Sequence, residues 1–196
     1  MSEPSRTLSS TEEAALTGYD PDRTSYCSSC GHVTFYWERY EDAGTAVDRA
    51  VDALAAAATW GPGRLKDPWQ LGVMRGEFRA VLEAAEEGGL APVDEVKRIR
   101  RPTRATMFEF RWPRIRVAEL RDGTKRFVDI EMRLLEVETR SRPCEALGLR
   151  AFEKQTWGGA EAVRDRQNQE IDAADRDFVR LLGQGKRGLP GHPGVR

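Results

Sequence analysis

Two helices are predicted in the first half of the chain, where apolar residues recur every three or four positions. The first covers residues 47–58 and ends at the Gly- and Pro-containing sequence of residues 59–63. A second is predicted to begin after Asp67, because Asp caps helices well and Pro68 suits the first helical position. Its apolar stripe continues to about Glu87, and two glycines follow.

Further along the chain the apolar pattern changes from the helical period to strict alternation, which predicts strands. Residues 106–118 and 127–137 alternate in this way and flank Asp122-Gly123, a favourable hairpin turn. Residues 147–152 predict another strand, and residues 160–182 carry the stripe of a final helix. We therefore predict an α+β fold, in which amino-terminal helices and a carboxy-terminal helix pack on an antiparallel β-sheet.

An aromatic cluster precedes the first predicted helix. It includes Phe35, Tyr36 and Trp37, which would be able to stack on nucleic-acid bases. The composition of residues 33–37 is more typical of a buried strand, so we favour core packing for these side chains.

The composition suits one folded domain between two tails. Of the 196 residues 39% are hydrophobic and 32% charged, which argues against a wholly disordered chain. Residues 1–20 and 183–196 are expected to be disordered, leaving residues 21–182 as a single domain. No stretch approaches the ~20 apolar residues that span a bilayer, and residues 1–10 lack the apolar core of a secretory signal. We expect a cytoplasmic protein with no membrane partner.

The net charge of -1 conceals a division along the chain. Residues 1–96 carry 8 Lys and Arg against 17 Asp and Glu, a balance of -9, whereas residues 97–196 carry 23 against 15, a balance of +8. Within residues 97–126 there are 11 basic residues and 3 acidic ones. Such a run favours a polyanionic partner, and the alternative is a solvated surface that only confers solubility.

The cysteines offer half of a zinc site. Cys27 and Cys30 have the spacing of a metal-binding pair, and His32 and Cys144 would complete a Cys₃His set. Because no second closely spaced pair follows, we expect no bound metal, and we interpret the three cysteines as thiols or metal ligands rather than disulfide partners. A zinc-stabilised interaction module stays open as a less favoured alternative.

Motifs for nucleotide cofactors and common hydrolases are absent from the sequence. It contains no Walker loop and no GxGxxG, HExxH or GxSxG motif, so no cofactor is expected. What remains is a set of cations on predicted strands: Arg111, Arg133 and Lys154. Cations presented from one face of a sheet can grip a phosphate and stabilise its developing charge. Alternatively, each occupies the solvent side of a half-buried strand.

The order of several short segments resembles the RelE/HigB superfamily of type II toxins, most closely its phage-derived and actinobacterial branch. The resemblance covers about residues 90–182. Its segments are Val96-Lys97-Arg98-Ile99, Met107-Phe108-Glu109-Phe110-Arg111, Ile130-Glu131-Met132-Arg133-Leu134-Leu135, residues 147–156 (LGLRAFEKQT), and a helix with Gln167-Asn168.

This resemblance implies a RelE-like fold and a ribosome-dependent mRNA endoribonuclease, in which the ribose 2′-hydroxyl attacks the adjacent phosphate. Arg111 and Arg133 would grip that phosphate, Lys154 would be a grip or a proton donor, and Glu109 would orient Arg111 or act as base. The partners would be mRNA, the ribosome and a cognate antitoxin of helix-turn-helix type. The residues expected to hold the RNA backbone are Lys97, Arg98, Arg100, Arg101 and Arg104.

The sequence also departs from the pattern of these toxins. Leu134 and Leu135 stand where relatives often carry tyrosines, Gln155 replaces a second lysine, and no Tyr or His is close to the site by sequence. The general acid and base are therefore unassigned. A non-catalytic RNA- or ribosome-binding accessory protein, of phage origin and using the same basic face, is the alternative.

Overall fold

A computed structural model describes residues 22–38, 43–101, 103–139 and 143–183. The tail predicted at residues 1–20, and all of the tail predicted at 183–196 except Gly183, lie outside the described residues. The elements in chain order are a short 3₁₀-helix (Tyr26–Ser28), β1 (Thr34–Trp37), α1 (Ala43–Ala58), β2 (Arg64–Leu65), α2 (Pro68–Glu86), β3 (Val96–Arg98), β4 (Thr106–Arg121), β5 (Thr124–Glu138), β6 (Glu145–Lys154) and α3 (Ala160–Gly183).

The predicted helices are confirmed, and the start of α2 shows why. The Asp67 carboxylate accepts a hydrogen bond from the backbone N–H of Gln70 at 3.0 Å, and Pro68 occupies the first turn, where no N–H is needed. The helix then buries Met74, Phe78 and Leu82 on one stripe.

The sheet is mixed rather than antiparallel. Its order is β1-β6-β5-β4-β2, and β3 also pairs with β4. β1 runs parallel to β6, whereas the other pairings are antiparallel. The α+β class is confirmed, but the prediction of an antiparallel sheet is wrong for β1, because α1 and α2 lie between β1 and the strand meander and return the chain in the parallel sense.

Helices cover both faces of this sheet. α1 and α2 pack on the face that carries Phe108, Phe110 and Trp112, and α3 packs on the face that carries Leu135 and Val137. The predicted β4–β5 hairpin turn is confirmed, with Asp122 and Gly123 at φ values of 52° and 74°.

Cys30 and Cys144 form a disulfide, which corrects the interpretation of the cysteines as thiols or metal ligands. Cys30 precedes β1 and Cys144 precedes β6, and parallel pairing brings the starts of these two strands together. The two Cα atoms are 5.9 Å apart, within the usual range for a disulfide. Cys27 stays a free, buried cysteine, so the Cys₃His zinc set does not form.

No helix among the described residues is long and apolar enough to cross a membrane.

Candidate functional site

The three cations predicted to be catalytic lie on one face of three neighbouring strands. Arg111 of β4 is directly opposite Arg133 of β5, and Lys154 of β6 is directly opposite Glu131 of β5. Residues paired in this way point to the same face, and alternate residues of β5 also share a face. Strand register therefore brings together residues that are up to 43 positions apart, from 111 to 154.

Two glutamates connect these cations into what we call the ionic chain: Arg111, Glu109, Arg133, Glu131 and Lys154. One oxygen of Glu109 lies 3.4 Å from Arg111 Nε and 3.6 Å from Arg133 Nε. One oxygen of Glu131 lies 2.5 Å from Arg133 Nη2 and 3.0 Å from Lys154 Nζ. Positive and negative groups alternate along the whole chain, so its formal charge is +1.

Arg133 is the buried centre of the ionic chain, with only 1% of its side chain exposed. Burial lowers the pKa of its guanidinium, although the charges of Glu109 and Glu131 act in the opposite direction. Its polar contacts are two carboxylates and the Met132 carbonyl. A direct contact between Arg133 and an RNA phosphate stays a prediction.

Arg111 and Lys154 are more accessible than Arg133. Their side chains are 24% and 25% exposed, respectively. Arg111 also donates a hydrogen bond to the Val93 carbonyl at 2.6 Å, which fixes its guanidinium beside the edge strand β3. The accessible cations of the ionic chain are therefore at its two ends.

A cleft of about 640 Å³ lies beside the ionic chain, at the β3 edge of the sheet. We call it the basic cleft, because the described residues that line it include five cations and a single carboxylate, Glu109. Four of the cations were predicted to hold RNA, and the fifth, Arg23, was not. The lining cations are Arg23, Lys97, Arg98, Arg100 and Arg101.

The cations of the basic cleft differ in how they are held. Lys97 and Arg100 are exposed, whereas Arg98 is half-buried and its Nε has no hydrogen-bond partner among the described residues. Arg101 pairs with Asp172 of α3 at 2.8 Å. Arg104 lies outside the cleft lining, where its backbone N–H donates to Asp175 at 3.0 Å.

Arg23 was not predicted to bind RNA, because it lies outside the basic run of residues 97–126. Its guanidinium stacks 4.0 Å from the centre of the Tyr26 ring and pairs with Glu138 at 3.4 Å. The sequence around Arg23 does not predict that its side chain lines the cleft, because this depends on how the 3₁₀-helix packs against β5.

Glu109 joins the basic cleft to the ionic chain. It lines the cleft, pairs with Arg111 and Arg133, and accepts a hydrogen bond from Gln167 Nε2 of α3 at 3.1 Å. No histidine or tyrosine is present among the described residues that line the cleft, so Glu109 is its one candidate base. The arrangement suits the binding of an anion beside a carboxylate that two arginines orient.

Comparison with known proteins adds no relative: no family model matches the chain, and no curated protein or solved structure shows significant similarity to it. The RelE/HigB resemblance therefore has only the order of the quoted segments to support it.

Proposed function

We propose that this protein binds single-stranded RNA in the basic cleft. The observation that carries this function is the meeting of five cations and one carboxylate around one opening. Cations concentrated in a concave surface attract a polyanion, and release of its counterions contributes most of the affinity. The amides of Gln167 and Asn168 line the same cleft and would bond to sugar or base edges.

The cleft lining favours recognition of phosphates over recognition of bases. Among the described residues that line the cleft, Phe108 is the one aromatic residue, and it is only 2% exposed. Base stacking, which gives many single-strand binders part of their affinity, is therefore a minor contribution here. The expected binding is strongly salt-dependent and weakly sequence-dependent.

The test compares two double variants that remove the same charge from different places. Lys97→Gln/Arg100→Gln changes the cleft, whereas Arg114→Gln/Arg126→Gln changes exposed cations of the hairpin. Affinity for a fluorescein-labelled single-stranded RNA is measured by anisotropy across a salt series. We expect the cleft variant to weaken binding about tenfold or more and to reduce the salt slope by about two, since each lost phosphate contact lowers the slope by about one.

The hairpin variant is expected to bind RNA nearly as well as the wild type. Equal losses in the two variants would show that only total charge matters, and no RNA binding by the wild type would exclude the function altogether.

A second candidate is the mRNA endoribonuclease of a toxin–antitoxin pair. The observation that favours it is the position of Arg111, Arg133 and Lys154 on one face, next to the cleft through Glu109. In the proposed reaction Glu109 takes the proton of the 2′-hydroxyl as its oxygen bonds to phosphorus, and Arg111 and Arg133 stabilise the phosphorane-like transition state. The bond from phosphorus to the 5′-oxygen then breaks, and Lys154 donates a proton to that leaving oxygen. The ribosome would supply the mRNA, and a helix-turn-helix antitoxin would cover the basic face.

Induction in a bacterial host separates the enzyme from the accessory protein. The enzyme is expected to arrest growth and to generate mapped mRNA ends, and both effects should be lost in Lys154→Ala and Glu109→Gln but kept in the hairpin variant Lys125→Ala. RNA binding without arrest or new mRNA ends would favour the non-catalytic RNA- or ribosome-binding protein, and arrest indifferent to both site variants would remove the catalytic assignment.

A further inference from the structure

Three buried side chains with metal-binding atoms meet beneath the 3₁₀-helix, on the face of the sheet opposite to the ionic chain. They are Cys27 of that helix and Glu136 and Glu138 of β5. The thiol sulfur and one carboxylate oxygen from each glutamate all lie within 4.8 Å of one another. The two glutamates share a face because alternate residues of a strand point the same way.

The complete burial of the Glu136 carboxyl group needs an explanation. Glu136 is 0% exposed, no donor group among the described residues bonds to its carboxylate oxygens, and its hydrogen-bonding neighbour is the carboxyl group of Glu138. Its neighbours across the sheet are Phe108 and Gly148, which offer no side-chain donor. Because an unpaired buried charge is very costly, this carboxyl group must hold either a proton or a cation.

Glu138 and Cys27 are held in place by the segment around the 3₁₀-helix. The Ser25 hydroxyl donates to a Glu138 oxygen at 2.6 Å, and the Tyr26 N–H donates to the same oxygen at 2.8 Å. The Ser25 oxygen in turn accepts from the Cys27 N–H at 3.1 Å. One serine thus orders both residues, as outer hydrogen bonds order the ligands of protein metal sites.

The charges of the group match a divalent ion. With Cys27, Glu136 and Glu138 ionised and Arg23 beside them, the formal charge is -2. Burial raises the pKa of all three groups, and for Cys27 the charges of Glu136 and Glu138 act in the same direction. In the absence of a cation the group therefore retains protons, and a bound cation would displace them.

We propose that Cys27, Glu136 and Glu138 form a zinc site. Zn²⁺ accepts thiolate and carboxylate ligands together, whereas Mg²⁺ and Ca²⁺ prefer oxygen ligands alone. Ligand atoms around a tetrahedral zinc lie about 3.5 Å from one another, so donors within 4.8 Å close on the ion with small side-chain movements. This site differs from the Cys₃His set considered from the sequence, and it does not depend on the proposed RNA binding.

The basic cleft lies next to this site. Arg23 and Ser25 both line the cleft and both contact Glu138.

The test uses the full-length protein with its disulfide intact, treated with a chelator and checked for folding by circular dichroism. Co²⁺ serves as the spectroscopic substitute, and Zn²⁺ is then used to displace it. We expect one equivalent of Co²⁺ to give a sulfur-to-cobalt charge-transfer band in the near ultraviolet, which Zn²⁺ abolishes. Because the other two cysteines are bonded to each other, this band reports Cys27.

Variants assign the ligands. Glu136→Gln and Cys27→Ser are expected to weaken Zn²⁺ binding about 100-fold or more, because even supporting residues of metal sites contribute 10- to 100-fold. Glu153→Gln removes a half-buried glutamate of β6 that pairs with Arg64 and should leave the affinity unchanged. Cys30→Ser/Cys144→Ser should retain the cobalt band.

Several outcomes would overturn the zinc site. The site is excluded if folded wild-type protein binds neither Co²⁺ nor Zn²⁺, or if it binds Co²⁺ without a sulfur-to-cobalt band. It is also excluded if the band disappears in Cys30→Ser/Cys144→Ser, or if Glu136→Gln binds Zn²⁺ with the affinity of the wild type. If Cys27→Ser does not fold, the presence or absence of the sulfur-to-cobalt band in the wild-type spectrum still tests Cys27 as a ligand. Absence of binding would mean that the two carboxyl groups hold a proton instead.

Discussion

The two faces of β5 carry buried charge in opposite ways. On one face Glu131 and Arg133 have partners of opposite sign, and the ionic chain approaches solvent at Arg111, Glu131 and Lys154 but not at Arg133. On the other face Glu136 is buried, and no donor group among the described residues bonds to its carboxylate. The comparison shows that this sheet accommodates buried ions through a balancing side chain on one face, and requires a proton or a metal ion on the other.

The contrast is visible in the pKa values of two glutamates on the same strand. Burial acts to raise the pKa of Glu131, but the hydrogen bond from Lys154 and the charge of Arg133 outweigh it and lower the pKa. For Glu136, burial and the charge of Glu138 raise the pKa well above the ordinary value. Burial raises the pKa of both residues, more strongly for the fully buried Glu136 than for Glu131, and the neighbouring charges decide whether that effect is outweighed.

The largest loss of stability is expected when the ion pairs of Arg133, on the face of β5 that carries the ionic chain, are removed. Arg133→Met removes the central cation and leaves Glu109 and Glu131 without their shared partner. We expect a loss of about 3–5 kcal/mol in the free energy of unfolding, because the buried Glu109 carboxylate then has Arg111 as its one remaining ionic partner among the described residues. Urea denaturation followed by circular dichroism measures it.

An exposed ion pair provides the control for that loss. Arg114→Met breaks the pair with Asp129, in which the arginine side chain is 79% exposed, and should cost less than about 1 kcal/mol. Equal costs for the two variants would contradict a special role of burial. A second variant sharpens the result: Glu109→Gln/Arg133→Met should recover part of the stability lost in Arg133→Met.

An intermediate loss of stability is expected when the disulfide near the 3₁₀-helix is removed. Cys30→Ser/Cys144→Ser removes a bridge between residues 114 positions apart, and we expect a loss of about 2–4 kcal/mol. The reference is wild-type protein unfolded with and without a reductant, since the double variant should not respond to reduction. An unchanged urea midpoint in the variant would show that the pairing of β1 with β6 is sufficient without the bridge.

The smallest effect is expected in the pH dependence of stability, measured on chelator-treated protein. Because the folded-state pKa of Glu136 is raised, its contribution is present below the ordinary glutamate pKa and is lost as the pH rises above it. Because the pKa of Glu131 is lowered, its contribution is present above the ordinary value and is lost as the pH falls. The slope for Glu136 is at most about 1.4 kcal/mol per pH unit, and that for Glu131 is smaller.

Matched substitutions separate the two slopes. Glu136→Gln should flatten the loss of stability on the neutral side, and Glu131→Gln should flatten the loss on the acid side. Other groups near Glu136, namely Cys27, Glu138 and Arg23, are unchanged in both variants. If both substitutions reduced the pH dependence of stability on the same side, the claim that the two faces of β5 accommodate buried charge in opposite ways would be wrong.

The secondary structure was predictable because it is encoded locally. The capping residues Asp67 and Pro68, the Asp122-Gly123 turn and the apolar periods place α1, α2, β4, β5 and α3 close to their observed positions. The convergence of Arg111, Arg133 and Lys154 followed from the order of the strands, since neighbouring antiparallel strands bring alternate residues onto one face.

The remaining features depend on contacts between distant parts of the chain. Parallel pairing of β1 with β6, and hence the disulfide, needs a register that no local pattern encodes. The burial of Arg133 depends on what packs over it, which residue type alone does not show. Glu136 did carry a weak signal, because it continues the alternate positions of Ile130, Met132 and Leu134 on the buried face.

The pairing of the first strand with the last also sets the order of events during synthesis. The bridged cysteines are separated by 114 residues, so at about 5–20 residues per second Cys144 leaves the ribosome roughly 6–23 seconds after Cys30. Until then the nascent chain holds Phe35 and Trp37 without their strand partner. A product truncated before residue 144 would therefore never close its own sheet, and it would be a substrate for chaperones and proteases rather than a shorter working protein.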